Sequence, residues 1–437
     1  MKRELSFPLT DFPAPENLIE AYAQDIDYLH FVFGKLNRSF TPATRSLFET
    51  RLQALRKRVD ALTHGEFVMG IAKAIAAADD GHTRVLFRRH LSFAPIRFHW
   101  FSDGLYIVQT RVRHRELLCA KVVRFGESTP ESLVQTLTSY IGGTIEHVSV
   151  ASAELMRSPD ALHGIGVLSD SMQLPLSLIL ANGDEVSLSL DAEQSNEPRH
   201  WYRRPRNNVP VMPISQPEWC HVLENTVQPR YLQDCDDNVL DVMIHQLNSF
   251  YVRINVMTNL VNRDLDDYLD EVLTKVRNTS PKHVIVDLRL NPGGNYMLAH
   301  AFAKQLPGLL GKNGRLFVLT SHYTFSAALV TVALLKYYAK GRALIIGQRM
   351  GDREQFWAEG GVIELPNSQL PVCLTDGFHN WKEGGMNEAE HCPWFNQLYG
   401  VAAGSLAPDI EIESSFATYL TGQDSFMNEV ERIITQD

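Results

Sequence analysis

The sequence of 437 residues predicts an α/β protein whose central element is a parallel β-sheet. Three short apolar runs rich in β-branched residues, at 284–288, 316–320 and 343–347, have the composition of strands buried on both faces. Between them, apolar residues recur at helical spacing over 297–306 and 325–338. The order β-α-β-α-β indicates adjacent parallel strands joined by right-handed crossovers.

The N-terminal 80 residues or so are predicted to be helical. Apolar residues recur at helical intervals over 16–38 and 41–62. Thr63 and Glu66 have the spacing of a capping box at the start of a third helix, which is expected to end near Ala78.

A polar loop of sequence DDGHT, residues 79–83, follows the third helix and leads to a predicted strand at 85–87. Taken alone, Gly81 suits a helix C-cap and His82 a surface or hydrogen-bonding histidine. An imidazole also titrates near neutral pH, as a general base should.

Over the next hundred residues, apolar and polar residues alternate with a period of two. This pattern predicts an α+β module over 91–195. Asn182-Gly183 between two alternating runs predicts a type I′ hairpin, and the proline-rich stretch 191–219 reads as a linker or crossing segment. The other predicted elements of this module are strands at 95–100, 105–109 and 120–125 and a helix at 130–141.

Residues suited to acyl transfer are predicted at one edge of the parallel sheet. Strand-to-helix loops lie together at the carboxyl ends of parallel strands, so Gly293, Gly294 and Ser326 should be neighbours. The glycines allow backbone N–H groups to approach a ligand. Ser326 would open a helix, where unpaired N–H groups and the dipole favour negative charge. A hydroxyl beside convergent N–H donors provides a nucleophile and an oxyanion hole.

The pattern DLRLNPGG at 287–294, followed by a strand and TFSAA at 324–328, resembles the core of the tail-specific or C-terminal processing peptidases. That family includes the tricorn core protease and is related in fold to crotonase. The resemblance implies a crotonase-like catalytic core, an N-terminal helical domain and a PDZ-like α+β module. It extends to LAPDIEIESS at 406–415, which is similar to the closing strand of the family. The implied domains are 1–90 (helical), 91–195 (PDZ-like) and 196–437 (catalytic).

The resemblance implies roles for the residues at the sheet edge. Ser326 would be the nucleophile, and the N–H of Gly293 or Gly294 would form the oxyanion hole with the N–H of Ala327. Asp287 and Arg289, which flank this loop, are expected to pair with each other and hold it.

A base is needed as well, because a free hydroxyl is a poor nucleophile at neutral pH. One arrangement in the family uses a lysine about 25 residues after the serine, but 349–354 reads RMGDRE and has none. The other uses a histidine, and the DGHT turn makes His82 the implied base, so a Ser-His type is predicted over a Ser-Lys type. A third member that orients the histidine is left open among Asp352, Glu354 and Glu359.

Composition and charge exclude several classes of protein. A net charge of −10 and a sequence pI near 5.9 argue against a nucleic-acid binder. No signal peptide and no stretch of 18 apolar residues is visible, and five scattered cysteines suggest reduced thiols, so a cytoplasmic protein without a membrane span is expected. His379, His391 and Cys392 lack zinc-ligand spacing, and no cofactor or metal is expected.

The sequence therefore predicts a serine peptidase that acts on peptides or unfolded proteins, bound as extended strands along the catalytic sheet. One alternative is a catalytically inactive peptide- or ligand-binding homologue on the same fold, since the Gly-Leu-Gly-Phe-type loop of a PDZ domain is absent. A second is a crotonase-type enzyme acting on acyl-thioesters, which would need no serine nucleophile. The oligomeric state is left open.

Overall fold

The computed structural model describes residues 3–4, 12–196, 209–212, 217–260, 263–384 and 400–436. The chain divides into two compact units. Unit 1 contains residues 1–100, 105–204 and 356–378, and unit 2 contains 101–104, 205–355 and 379–437. The division into three domains at 90/91 and 195/196 stays a prediction.

Helices carry most of the regular structure at the N-terminus and alternate along the chain with the parallel strands of unit 2. Within the described ranges, no helix has the length and hydropathy needed to span a membrane. The α-helices are α1 (Leu18–Tyr28), α2 (Gly34–Leu36), α3 (Pro42–Arg56), α4 (His64–Ile75), α5 (Pro130–Leu137), α6 (Ile145–Leu155), α7 (Pro159–Gly164), α8 (Leu265–Thr279), α9 (Met297–Gln305), α10 (Ala327–Ala339), α11 (Phe416–Leu420) and α12 (Ser425–Gln436).

The strands are short, and two groups of them form the main sheets. They are β1 (Arg3–Glu4), β2 (Ser92–Phe93), β3 (Ile96–Phe101), β4 (Gly104–Arg111), β5 (Lys121–Phe125), β6 (Gln173–Ile179), β7 (Glu185–Asp191), β8 (Glu193–Gln194), β9 (Trp219–His221), β10 (Val239–Ile244), β11 (Ser249–Ile254), β12 (His283–Asp287), β13 (Leu316–Thr320), β14 (Ala343–Gly347), β15 (Gln355–Ala358), β16 (Gly361–Glu364), β17 (Pro371–Leu374), β18 (Gly377–Asn380) and β19 (Ile410–Glu411).

Unit 1 contains the N-terminal helices and the α+β module. Thr63 and Glu66 form the predicted capping box of α4, each side chain bonding the other residue's backbone N–H. The predicted strand at 85–87 is wrong: only Val85 forms a bridge, to Val372. Strands β3 to β7 form a sheet in sequence order.

The β6–β7 hairpin does not have the predicted type I′ turn. That turn needs positive φ at both central residues, and only Gly183 has it, at 91°. The Gly183 N–H donates to the Leu180 carbonyl and the Leu180 N–H to the Asp184 carbonyl. The loop is therefore one residue longer, a type I turn followed by a glycine with positive φ.

Unit 2 is organised by a six-stranded sheet in the order β10-β11-β12-β13-β14-β19. Strand β10 is antiparallel to β11, and the other pairs are parallel. The predicted β-α-β-α-β unit is confirmed as β12-α9-β13-α10-β14. Every residue of β12 and β13 is buried, which explains why the runs 284–286 and 316–319 are apolar without alternation.

A buried ion cluster follows β12. The Arg289 guanidinium lies 2.7 Å from Asp287 Oδ2 and 2.7 Å from Asp424 Oδ1, and packs over the Phe426 ring. The Tyr251 hydroxyl donates to Asp287 Oδ2 at 2.7 Å. Burial alone would lower the pKa of Arg289, but the two carboxylates more than reverse this and raise its pKa well above the ordinary value. The predicted pairing of Asp287 with Arg289 is confirmed. Asp424, just before α12, also pairs with Arg289.

Replacing Arg289 with Leu should lower the free energy of unfolding by about 3–5 kcal/mol, because two carboxylates would be left buried without their cation. Urea denaturation measures this. The matched control is Arg349→Leu, which removes a pair with Glu411 whose side chains are 63% and 60% exposed. The control should lose about 1 kcal/mol at most. Equal losses in the two variants would contradict the structural role of the cluster.

Candidate active site

Two loops of unit 2 meet at the carboxyl ends of β12 and β13. We call residues 288–294 the glycine loop and residues 321–326 the serine loop. Parallel pairing in register brings both loops out at the same edge of the sheet. Three hydrogen bonds then join them: Thr324 Oγ1–H to Leu288 O at 2.9 Å, Ser321 Oγ–H to Arg289 O, and Phe325 N–H to Asn291 O at 3.1 Å. The Leu288 N–H also donates to Leu319 O of β13, at 3.0 Å.

Asn291 holds the glycine loop from inside the protein. Its side chain is fully buried, and its Nδ2 donates to the Ile254 carbonyl at the end of β11, at 2.9 Å. Its Oδ1 accepts the Gly293 N–H, also at 2.9 Å. No functional role was predicted for Asn291 from the sequence. The available signal was the tendency of asparagine to bond the backbone N–H two residues later.

Both glycines are needed because no side chain would fit. At Gly293, φ is 102° and a Cβ would lie 2.7 Å from Ser326 Cβ and 2.8 Å from the Phe325 carbonyl oxygen. At Gly294, φ is 135° and a Cβ would lie 2.1 Å from the Met257 carbonyl oxygen. The structure thus brings Gly293 against Ser326, as the parallel topology predicted.

Ser326 has a rare backbone conformation for a residue with a side chain. Its φ is 56° and its ψ is −123°, which costs of the order of 1–3 kcal/mol. Ser326 stands at the N-cap position of α10, yet its side chain makes no capping bond. The side chain is partly exposed, and no hydrogen bond joins its hydroxyl to any residue that the structure describes. The serine is therefore not an ordinary helix cap.

The backbone N–H groups of the two glycines and of Ala327 differ in whether they already have a hydrogen-bond acceptor. The Gly293 N–H is already bonded to Asn291 Oδ1. Within the described ranges, the N–H groups of Gly294 and Ala327 have no acceptor. Sequence reasoning left Gly293 and Gly294 as alternatives beside Ala327, and the hydrogen bonding favours Gly294. Gly293 is instead the point of close approach to Ser326.

Two of the three residues considered for orienting the catalytic histidine, Asp352 and Glu354, lie after β14. The Gly351 N–H donates to the Thr324 carbonyl at 3.1 Å, which ties this segment to the serine loop. Asp352 is half-buried, and its Oδ1 accepts the Arg353 N–H at 3.0 Å. Glu354 Oε1 accepts the Leu406 N–H at 2.9 Å, so this carboxylate anchors a C-terminal segment.

His82 belongs to unit 1, where it is buried rather than on the surface. Its ring stacks on Phe356 with centroids 5.2 Å apart and an interplanar angle of 13°. Its Nδ1 lies 3.8 Å from Asp80 Oδ1. Glu359, the remaining candidate third member, is exposed in the turn between β15 and β16. Asp80, two residues before His82, was not among the candidates predicted from the sequence.

Metal ligation has little support in the described part of the chain, where no group of three or more His, Cys, Asp or Glu side chains could hold an ion. His379 is buried, and its Nδ1 accepts the Trp381 Nε1–H at 3.2 Å. His391 and Cys392 lie outside the described residues.

Comparison with known proteins finds similarity in structure but no match in sequence. No protein-family model matches the sequence, and no curated protein matches it. Mature CPAF complexed with lactacystin superposes with a TM-score of 0.62 over 96% of this chain and 100% of that chain, at 13% identity. A second structure of mature CPAF gives 0.61 at 14% identity, over 96% and 98% of the two chains. The photosystem II D1 C-terminal processing protease gives 0.38 at 13% identity, over 96% and 98%. The chain has the fold of the tail-specific protease family, to which these neighbours belong.

Proposed function

We propose that this chain is a serine-type peptidase that hydrolyses peptide bonds through an acyl-enzyme intermediate. One observation carries the proposal: Ser326 is held in a strained turn at the start of α10, and its hydroxyl is not used as a cap. Strained residues of this kind cluster at active sites, where they expose a reacting group. The likeness in fold to serine proteases of the CPAF type supports the same class.

The chemistry follows from the groups around Ser326. Its Oγ adds to the carbonyl carbon of the scissile peptide while its proton passes to the base. The N–H groups of Gly294 and Ala327, at the positive end of the α10 dipole, stabilise the oxyanion. The intermediate expels the amine, which takes the proton. Water then attacks the acyl-enzyme with the same base and releases the carboxylic acid.

His82 is the proposed base, which makes the enzyme a Ser-His rather than a Ser-Lys type. The segment 349–354 has no lysine, and a neutral imidazole can accept the serine proton near pH 7. This role rests on the resemblance of the DGHT turn to the family.

The finer architecture is part of the proposal. The parallel sheet of unit 2 would be a crotonase-like core, and residues 91–195 would form a PDZ-like module between a helical domain at 1–90 and a catalytic domain at 196–437. Strand β5 followed by α5 is consistent with that module. The substrate would be a peptide or unfolded protein, bound as an extended strand.

An inactive binding protein on the same fold is the second candidate. The observation that favours it is the absence of a lysine in 349–354, the turn that carries the base in Ser-Lys members of the family.

Replacing Ser326 with Ala should abolish labelling by a fluorophosphonate probe, because the reacting oxygen is removed; intact-protein mass spectrometry measures this. Ser149→Ala is the control, since the Ser149 hydroxyl donates to the Ile145 carbonyl of its own helix at 2.8 Å. Undiminished labelling of the Ser326 variant would exclude it as nucleophile. A wild-type chain that never labels would favour the binding protein.

Replacing His82 with Ala should slow acylation about 10²- to 10⁴-fold, because the serine proton would have no base. Stopped-flow measurement of the acylation burst on an activated ester reports this step. The exposed His30, changed to Ala, serves as the matched control. A burst rate equal to that of the control would exclude His82 as the base.

Replacing Gly294 with Ala should lower kcat about 10²- to 10³-fold, the effect of losing one oxyanion donor. The new Cβ would meet the Met257 carbonyl oxygen at 2.1 Å and displace the peptide. Gly308→Ala is the control, because a Cβ there meets nothing within 4 Å. Steady-state kinetics on a fluorogenic peptide compares the two, and matching kcat values would remove Gly294 from the site.

A further inference from the structure

A carboxylate on the DDGHT loop lies beside the proposed base. We infer that Asp80 is the positioning residue for His82: it holds the imidazole with its proton on Nδ1 and stabilises the ring when it becomes charged. The inference rests on the proposed function of His82. Asp80 takes the place of Asp352, Glu354 and Glu359 as the proposed third member of the catalytic set.

The two side chains lie within the range of electrostatic attraction. Asp80 Oδ1 lies 3.8 Å from His82 Nδ1, and both side chains are 6% exposed. This separation is within ion-pair range but longer than a direct hydrogen bond. The attraction therefore strengthens when the imidazole takes up the serine proton. An imidazole with its proton on Nδ1 leaves the lone pair of Nε2 to accept the proton of a serine hydroxyl.

The Asp80 carboxylate is fixed by a buried chain of hydroxyl groups within unit 1. Thr83 Oγ1 donates to Asp80 Oδ2 at 2.7 Å and lies 3.0 Å from Thr375 Oγ1. Asn37 Oδ1 accepts the Thr375 N–H at 2.9 Å. Because Oδ2 is engaged in this chain, Oδ1 is the oxygen that faces the imidazole.

The loop itself has little room to move. A Cβ at Gly142 would lie 2.8 Å from the Asp80 nitrogen and 2.9 Å from its carbonyl oxygen, so the glycine backbone packs directly on the loop. Gly143 packs in the same way on Gly81. On the other side the His82 ring is held by its stacking on Phe356. Both members of the pair are thus positioned before any substrate binds.

Other titratable groups surround the pair. Arg84 Nη1 donates to the Gly81 carbonyl at 3.2 Å, and Asp79 Oδ1 accepts the Gly143 N–H at 3.4 Å. Burial first, then Arg84 and His82, lower the pKa of His147 to about 3. His147 is therefore neutral at working pH and brings no competing charge. Asp80 supplies the negative charge that balances a protonated His82.

The test is Asp80→Asn, which keeps the shape of the side chain and removes its charge. We expect kcat to fall about 10²- to 10⁴-fold with little change in KM, the loss expected when a triad carboxylate is removed. The acid limb of the kcat/KM profile should move to lower pH, because an imidazolium without its carboxylate loses its proton more readily. In the His82→Ala background, Asp80→Asn should have no further effect on kcat.

A second measurement does not depend on activity. The ¹⁵N NMR signals of the His82 ring, assigned with the His82→Ala variant, should show the Nδ1–H tautomer in the wild type and a shift towards Nε2–H in Asp80→Asn. Circular dichroism establishes that the variant is folded. The same tautomer in both proteins would overturn the inference.

Asp79→Asn is the matched control, since it removes a neighbouring charge while its Oδ1 can still accept the Gly143 N–H. It should keep the wild-type rate and tautomer. A tautomer change in Asp80→Asn in a chain without peptidase activity would uphold the positioning role and refute the proposed function. An active chain whose Asp80→Asn variant matches Asp79→Asn would refute the positioning role alone.

Discussion

The candidate site depends on a close approach between two loops that leaves no room for a side chain. The backbone of Gly293 lies against the turn at Ser326, where even a methyl group would come within 2.7 Å of the serine Cβ. This approach requires β12 and β13 to be adjacent and parallel, so that their following loops emerge together. The Thr324 hydroxyl then donates to the Leu288 carbonyl, and the Asn291 carbonyl accepts the Phe325 N–H, which ties the two loops together. The unusual backbone of Ser326 persists because its neighbours are fixed on both sides.

The buried charges of unit 2 also hold the glycine loop and the serine loop in place. Arg289 bridges Asp287, at the end of β12, and Asp424, which caps α12 by accepting the Phe426 and Met427 N–H groups. The carbonyl of Arg289 also accepts the Ser321 hydroxyl. One residue therefore connects the sheet, the C-terminal helix and the serine loop. Charged groups buried this completely need partners in the folded state, and here those partners order the segment that precedes Gly293.

Much of this could be predicted from sequence because burial and backbone conformation leave strong signals. Strands buried on both faces are mostly apolar without alternation, and the bounds of β13 and β14 agree with the predicted runs. The Thr63–Glu66 pattern has a local physical cause and identified the start of α4. Long-range side-chain geometry left no such signal. The loop 79–83 gave no indication that Asp80 is buried beside His82, because that depends on Thr375, almost 300 residues away. Val85 bridges one residue and does not extend into a strand.

The central claim is that the strained turn presents Ser326 as a nucleophile, and trapping its acyl-enzyme tests this most directly. Turnover of an activated ester or a peptide would be quenched with acid during the reaction, and the digested protein examined by mass spectrometry. The account predicts an acyl group on the fragment that contains Ser326. Hydrolysis without any adduct, or with the adduct on another residue, would contradict it.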